Sequence, residues 1–293
     1  MGARDDANEL LARAAASEAL AREYSFSNHD FDRVRRLIRA RAGIDLNASK
    51  QNMVYSRLAR RVRATGRTSF ADYLDDIERD AGMAGPESQQ FINALTTNLT
   101  AFFRESHHFP LLAEFLRGRS KARIWCAAAS TGEEPWSIAM TAAEALGTAV
   151  RPTVLATDID TNVLATAAQG VYGLESASAC GEARLKRWFL RGRGNKDGFV
   201  RIKPELAALV QYRPLNLLDP TWPRARDMVE GFDAVFCRNV LIYFDHSTQR
   251  EVLTRIAEVL RPGGLLFVGH SENFTDCRSQ FRLRGKTVYE RMP

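Results

Sequence analysis

The sequence predicts an all-α domain followed by an α/β domain built on a parallel sheet. Three observations lead there. Up to about residue 96 apolar residues recur at helical spacing, as in Phe31, Val34, Leu37 and Ile38. From about residue 110, runs rich in Val, Ile and Phe alternate with helical stretches, the pattern of a parallel sheet flanked by helices. Between Tyr172 and Pro214 that alternation breaks, and WFLRGRGNKDGFVRIKPEL reads as a glycine-turned β insertion.

The elements follow in order. Residues 1–24 are expected to form an N-terminal arm, with an amphipathic helix over 7–23. A helix is expected over 29–42. Asp45 or Asn47 opens a turn, and a second helix runs from about 50 to 65, with Val54, Leu58 and Val62 on one face and Arg57, Arg60, Arg61 and Arg63 opposite. Ser69 is placed to cap a helix over 70–79. A loop at 80–88 precedes a helix over about 87–96. The expected domains are therefore the arm, a helical domain over 25–96 and an α/β domain over 97–293 with its insertion at about 173–213. Strands are expected at RIWCAA, TVLATD, VQYRPLN, FDAVFCRN and LLFVGH, helices at PWSIAMTAAEAL, NVLATAAQ and TQREVLTRIAEVL, and a closing hairpin over 281–291.

Composition bounds the function. The 45% hydrophobic and 26% charged fractions are those of an ordinary globular protein. No run of about 18 apolar residues predicts a membrane span, and no signal peptide is visible. Cys126, Cys180, Cys237 and Cys277 form no C-x-x-C pair, so they read as reduced thiols in a cytoplasmic protein, not zinc ligands. The net charge is +6, and residues 33–67 hold eleven Lys or Arg against the single acid Asp45. Such a block implies an acidic partner.

Open α/β sheets bind ligands at the carboxyl ends of their strands. Here the first strand runs into AAASTGEE, a small-residue loop with no Lys and no G-x-G-x-x-G, so neither a P-loop nor a dinucleotide loop is present. The second ends in Asp158 and Asp160, the third in Asn216-Leu217-Leu218, the fourth in Cys237-Arg238-Asn239. An acid after the second strand suits ribose hydroxyls. Acidic loops repel a pyrophosphate and suit a nucleoside that carries positive charge, which S-adenosylmethionine is. The bland alternative is that Glu133 and Glu134 only favour a helix dipole, and that Asp160 only caps the helix after it. His270, Ser271 and Glu272 invite a hydrolase reading, which fails for want of a G-x-S-x-G elbow. His107 and His108 are adjacent rather than four apart, so no metal is expected.

Several of these stretches also resemble a family. TNLTAFFRESHHFP (97–110), AAASTGEEPWSIA (127–139), ATDID (156–160), FCRNVLIYFD (236–245) and GHSENF (269–274) are similar, in the same order, to the chemotaxis receptor glutamate O-methyltransferases, the CheR family. The resemblance covers about residues 29–290. It implies a Rossmann-like class I S-adenosylmethionine-dependent methyltransferase domain with a small inserted β-subdomain, preceded by an all-α domain. The activity it implies is methyl transfer from S-adenosylmethionine to glutamate side chains of bacterial chemoreceptors in chemotactic adaptation, leaving S-adenosylhomocysteine.

The resemblance also implies roles. Arg104 and Tyr243 would act at the methyl group. Asn98, Thr100, Arg104, Glu134, Asp158, Asn216, Leu217, Arg238 and Asn239 would line the cofactor, with Glu134 at the methionine amino end and Asp158 on the ribose. Arg57, Arg60, Arg61 and Arg63 would face the glutamate-rich receptor helices. Gly192 and Gly194, in Arg191-Gly-Arg-Gly194, resemble the turn with which part of the family captures a receptor C-terminal peptide. A cytoplasmic monomer recruited to membrane receptor arrays is expected. Two other readings stay open: a nucleic-acid methyltransferase using the basic helix, against which stand the absence of aromatic interleaving and of an Asn/Asp-Pro-Pro-Tyr-like stretch, and a non-catalytic cofactor sensor.

Overall fold

The computed structural model describes residues 23–80, 85–147, 151–222, 231–272 and 279–293. Nearly all of the expected arm, and Cys277, lie outside them. The described chain divides into two compact units, one comprising the residues through Arg41 with Leu46–Leu95, the other Ala42–Asp45 with Thr96–Pro293.

The first unit is helical. Its main elements are α1 (Asn28–Ala42), α2 (Gln51–Ala64), α3 (Phe70–Arg79) and α4 (Pro86–Leu95). Val34, Ile38, Val54, Leu58, Val62, Phe70, Leu74, Ile77, Phe91 and Ile92 form its core, each at most 1% exposed. Ser69 caps α3 by accepting the Asp72 N–H, as its position predicts. Arg33 is buried and reaches Glu78 and Asp75 at 2.8 and 2.6 Å.

The second unit carries a seven-stranded sheet in the order β6-β2-β1-β7-β8-β10-β9. Its strands are β1 (Arg123–Cys126), β2 (Thr153–Asp158), β6 (Val210–Pro214), β7 (Phe232–Cys237), β8 (Leu260–Val268), β9 (Phe281–Gly285) and β10 (Val288–Arg291). The pairs β1–β2, β1–β7, β2–β6 and β7–β8 are parallel, and β10 is antiparallel to both neighbours. Every residue of β7 is buried, which is why FDAVFC, Asp233 apart, is apolar on both faces and does not alternate. The flanking helices are α5 (His108–Leu116), α6 (Glu133–Leu146), α7 (Thr161–Gln169) and α11 (His246–Val259), with short α8 (Leu174–Ala177), α9 (Glu182–Trp188) and α10 (Pro204–Ala207) in and beside the insertion. Helix α5 has no counterpart in the sequence reading. Its buried residues His108, Phe109, Leu112 and Leu116 share one face, but exposed Pro110 and Leu111 are also apolar and blur the period in the run HFPLLAEFL.

The insertion is a three-stranded antiparallel sheet in the order β3-β5-β4, from β3 (Val171–Gly173), β4 (Phe189–Arg191) and β5 (Phe199–Ile202). Strand β4 begins one residue later than WFL suggested, because Trp188 closes α9. Strand β3 escaped the sequence reading, since three residues at the end of a helix carry no periodic signal. Gly192 is required by this turn: a Cβ there would meet the Lys196 carbonyl oxygen at 2.0 Å. Gly194 has φ of +62° with open space around its Cβ position. Gly192→Ala is therefore expected to cost about 2–3 kcal/mol in urea unfolding, and Gly194→Ala only about 1 kcal/mol. Equal costs would mean the turn relaxes freely.

Candidate active site

The loop between β1 and α6 sits at the carboxyl end of the sheet. Small residues let it turn tightly: Ala129 N–H bonds Thr157 C=O at 2.8 Å, and Gly132 N–H bonds Ala129 C=O at 3.0 Å. Gly132, at φ of +103°, is packed so closely that a Cβ would lie 2.5 Å from the Tyr172 hydroxyl. That hydroxyl donates to Thr131 C=O at 2.8 Å and ties the inserted sheet to the loop. Ser130 adopts φ of +49°, a strained conformation for a residue with a side chain. Its N–H is spent on Asp158 Oδ2 at 2.8 Å and its hydroxyl on Asn98 C=O at 3.0 Å.

Asp158 is buried, and its second oxygen accepts the Asp160 N–H at 2.9 Å. Burial raises its carboxyl to about 6, although the backbone donors of Asp160 and Ser130 pull the other way. Asp160 caps α7 and also receives Thr96 Oγ1 and Asn98 Nδ2 at 2.7 and 2.8 Å. Its oxygens are thus committed to holding the Thr96–Asn98 segment against the sheet.

Arg238, at the end of β7, is the buried cation of the site at 4% exposure. Its Nη1 donates to Glu134 Oε2 at 2.7 Å, its Nη2 donates to the Arg104 carbonyl at 2.5 Å, and Glu105 Oε2 lies 3.5 Å away. Glu134 also accepts from the Cys126 thiol at 3.3 Å. Burial raises the Glu134 carboxyl above its ordinary value, and the Arg238 charge opposes that shift. Burial likewise acts on Glu105, but Arg238 and His270 outweigh it and hold that carboxyl below the usual range. Phe103 and Glu105 both have φ of +53°, and Asn239 has +57°. Four of the six non-glycine residues with positive φ among the described residues therefore lie at this end, and strain of this kind clusters where a ligand is gripped.

Glu272, like Glu105, is a site residue that sequence reasoning missed. Its carboxylate accepts the N–H groups of Asn239, Val240, Leu241 and Gly269 at 2.6–3.0 Å. It binds the loop after β7 to the loop after β8 and sets the Asn239 backbone. The signal in the sequence was a lone glutamate three residues after a strand-ending Gly269, which local reasoning cannot tell from a surface acid.

The other expected site residues fall as follows. Asn216 and Leu217 follow β6; Asn216 Oδ1 caps its own turn by accepting the Leu218 N–H at 3.0 Å, and the Leu217 side chain is buried in the sheet's core. Thr100 is half-buried in the segment before Arg104, and Arg104 donates Nη1 to Leu99 C=O at 2.7 Å. Tyr243 is half-buried in the short turn Leu241–Tyr243. Glu105, His107 and His108 each bring one donor atom within 4.8 Å of the others, a convergence that their adjacency in sequence concealed. Glu105 is engaged there by Arg238 and by His270 Nδ1 at 3.2 Å, and burial lowers His108 to about 4.

In the helical unit, the basic face of α2 needs correction. Arg57 and Arg61 are half-buried rather than opposite the core. Arg57 Nη1 donates to Ala94 C=O at 3.4 Å, and Arg61 Nε donates to Glu87 at 3.0 Å. Arg63 is exposed but paired with Glu23, and Arg60 is exposed. The face mixes signs, because glutamates distant in sequence fold back onto it.

The donor set at the sheet's carboxyl end fits S-adenosylmethionine. Among the described residues of the site, Glu105, Glu134, Asp158 and Glu272 outnumber the buried cation Arg238, so the local field favours a cationic ligand. The Glu105 Oε2 atom is buried without a hydrogen-bond partner among the described residues. Residues 98–290 match the family model described as CheR methyltransferase, SAM binding domain, and residues 29–96 match CheR methyltransferase, all-alpha domain. A chemotaxis protein methyltransferase of Escherichia coli (strain K12) is 53% identical over 268 residues, covering 90% of this chain and 91% of that protein. The corresponding protein of Salmonella typhimurium is 50% identical over 272 residues, covering 92% of each chain. Chemotaxis protein methyltransferase 2 of Pseudomonas aeruginosa is 49% identical, covering 91% of this chain and 94% of that one. With both domain models matched in order and identity near half along nearly the whole length, the chain belongs to the CheR methyltransferase family and carries its all-α and S-adenosylmethionine-binding domains.

Proposed function

We propose that this protein methylates glutamate side chains of chemoreceptors, forming glutamyl methyl esters in chemotactic adaptation. The observation that carries the reading is the acid-rich, strained end of the sheet beside Arg104, in a chain whose relatives are named chemotaxis protein methyltransferases. When bound, S-adenosylmethionine supplies a methyl group activated on a sulfonium. A glutamate with a reference pKa of about 4.3 is already ionised at neutral pH, so no side chain has to remove a proton. What the chain must do is strip water from the carboxylate and aim one oxygen. Arg104 pairs with that carboxylate through a charge-assisted hydrogen bond, and the Tyr243 hydroxyl adds a directional donor. Asn98, held by Asp160, and Asn239, held by Glu272, border the cofactor. Exposed Arg60 of α2 attracts acidic receptor helices, an effect that fades with salt. The inserted sheet offers edge strands β3 and β4 to a receptor tail peptide.

The test is methyl transfer from labelled S-adenosylmethionine to receptor-bearing membranes, followed by mild base. Release of the label as volatile methanol identifies a carboxyl ester. A base-stable label rejects the glutamate reading in favour of another methyl acceptor.

Asp158 gives a pH dependence. Ribose hydroxyls need an ionised acceptor, and the carboxyl titrates at about 6. Affinity for S-adenosylhomocysteine is therefore expected to be level near neutrality and to fall as pH drops through about 6, approaching a tenfold loss per unit below it. Calorimetric titration across that range checks it. Asp158→Asn should bind weakly with no such slope, and a flat wild-type profile would remove Asp158 from the ribose.

A further inference from the structure

The opposite end of the sheet holds a second site. Where β1 and β7 begin, a cleft of about 560 Å³ is lined by Arg119, Lys121, Arg123, Arg261 and Asp233, with glycines and a serine between them. That volume is in the range of small-molecule pockets, roughly 300–1,000 Å³. Among the described residues that line it, Arg119, Lys121, Arg123 and Arg261 are cationic and Asp233 is the one carboxylate.

The carboxylate is already committed. Asp233 is buried, with Oδ2 accepting the Arg123 N–H at 2.7 Å. Its Oδ1 lies 2.8 Å from Arg261 Nε and 3.9 Å from Arg119 Nη1. It organises the arginines and does not neutralise them. Arg119 is further fixed: its guanidinium stacks 4.0 Å above the Phe115 ring, and its Nε donates to Phe115 C=O at 2.7 Å. Arg261 lies 5.8 Å from the same ring. Two guanidinium groups are thus held side by side, half-buried, before any ligand arrives. Burial depresses the Arg119 pKa and the charge of Arg261 depresses it further, which expresses the cost of crowding like charges in a half-buried cleft. An anion with several charges relieves that cost, and guanidinium forks match phosphate oxygens. Among the described residues no aromatic ring lines the cleft, so none of them reads a base by stacking.

We propose that this cleft binds a di- or triphosphate group, at the end of the sheet remote from the cofactor and independently of methyl transfer. The phosphate chain comes either from a nucleotide or from inorganic polyphosphate. The experiment is calorimetric titration of the full chain with pyrophosphate, tripolyphosphate and ATP at low ionic strength, repeated with S-adenosylhomocysteine present. Saturable binding is expected, tighter for tripolyphosphate than for pyrophosphate and unaffected by S-adenosylhomocysteine. Lys121→Glu, an exposed position, should weaken it about tenfold or more while leaving cofactor affinity and methyl transfer unchanged. Arg119→Ala should weaken it similarly. ATP binding as tightly as tripolyphosphate identifies the phosphate chain alone as the ligand, and tighter ATP binding identifies the nucleotide. Absence of saturable binding by all three probes overturns the proposal. So does competition with S-adenosylhomocysteine, or binding undiminished in both variants, which would place the anion on the arginine-rich segment 33–67 or elsewhere.

Discussion

Arg104→Ala is expected to lower methyl transfer by about 10²–10³-fold, the cost of losing one charged donor at a reacting centre, with S-adenosylhomocysteine binding changed much less. The structure says why folding should survive. Among the described residues the Arg104 side chain makes one hydrogen bond, Nη1 to Leu99 C=O, and it is half-exposed. What the neighbouring structure uses is the backbone: the Arg104 carbonyl accepts from Arg238, and the residues on either side hold positive φ. A truncation at Cβ leaves both intact. Arg104→Lys should fall between, since an ammonium keeps the charge and loses the fork. The decisive readout is kcat against cofactor affinity. Activity within a few-fold of the parent would reduce Arg104 to a local staple on Leu99 and remove it from the reacting centre.

The second large effect is on stability. Arg238→Met is expected to cost about 3–5 kcal/mol, because it leaves Glu134 buried and unpaired and not merely one hydrogen bond short. Arg238 is 4% exposed and Glu134 9%, so water cannot replace the lost partner without opening the site. All four tryptophans (125, 136, 188 and 222) lie in the α/β unit, so their fluorescence during urea unfolding follows that unit alone. Adding Glu134→Gln to Arg238→Met should recover part of the loss by removing the orphaned charge. An Arg238→Met protein within about 1 kcal/mol of the parent would mean that Glu134 takes up a proton at little cost and that the pair contributes little.

Much of the architecture was legible from local pattern. The apolar faces of α1 and α2, the Ser69 cap and the alternation of strands with helices from residue 123 onward all appear where periodicity and capping chemistry place them. The misses have physical causes. Helix α5 carries apolar Pro110 and Leu111 on its exposed side, which hides its buried face, β3 is too short to show alternation, and α2's arginines were judged without the glutamates that reach them. Two of the site's acids were named from their strands, while Glu272 was set aside because its value lies in four backbone amides of other segments.

By itself, then, the sequence determined most of the helices and strands, the order of the motifs, and the presence of an acidic small-residue turn where a phosphate loop would be basic. These depend on residues within a few positions of one another. Tertiary structure alone decided which charges meet. Arg238 and Glu134 stand 104 residues apart, and Asp160 and Asn98 stand 62 apart, so their pairing exists only once the strand order is set. The cleft around Asp233 has the same origin. Arg119, Lys121 and Arg123 are local to one segment, but Asp233 and Arg261 join them only because β1 lies beside β7, and β7 beside β8. Coulomb interactions act through space over several ångströms, whereas periodicity acts along the chain, and only the folded sheet converts one into the other.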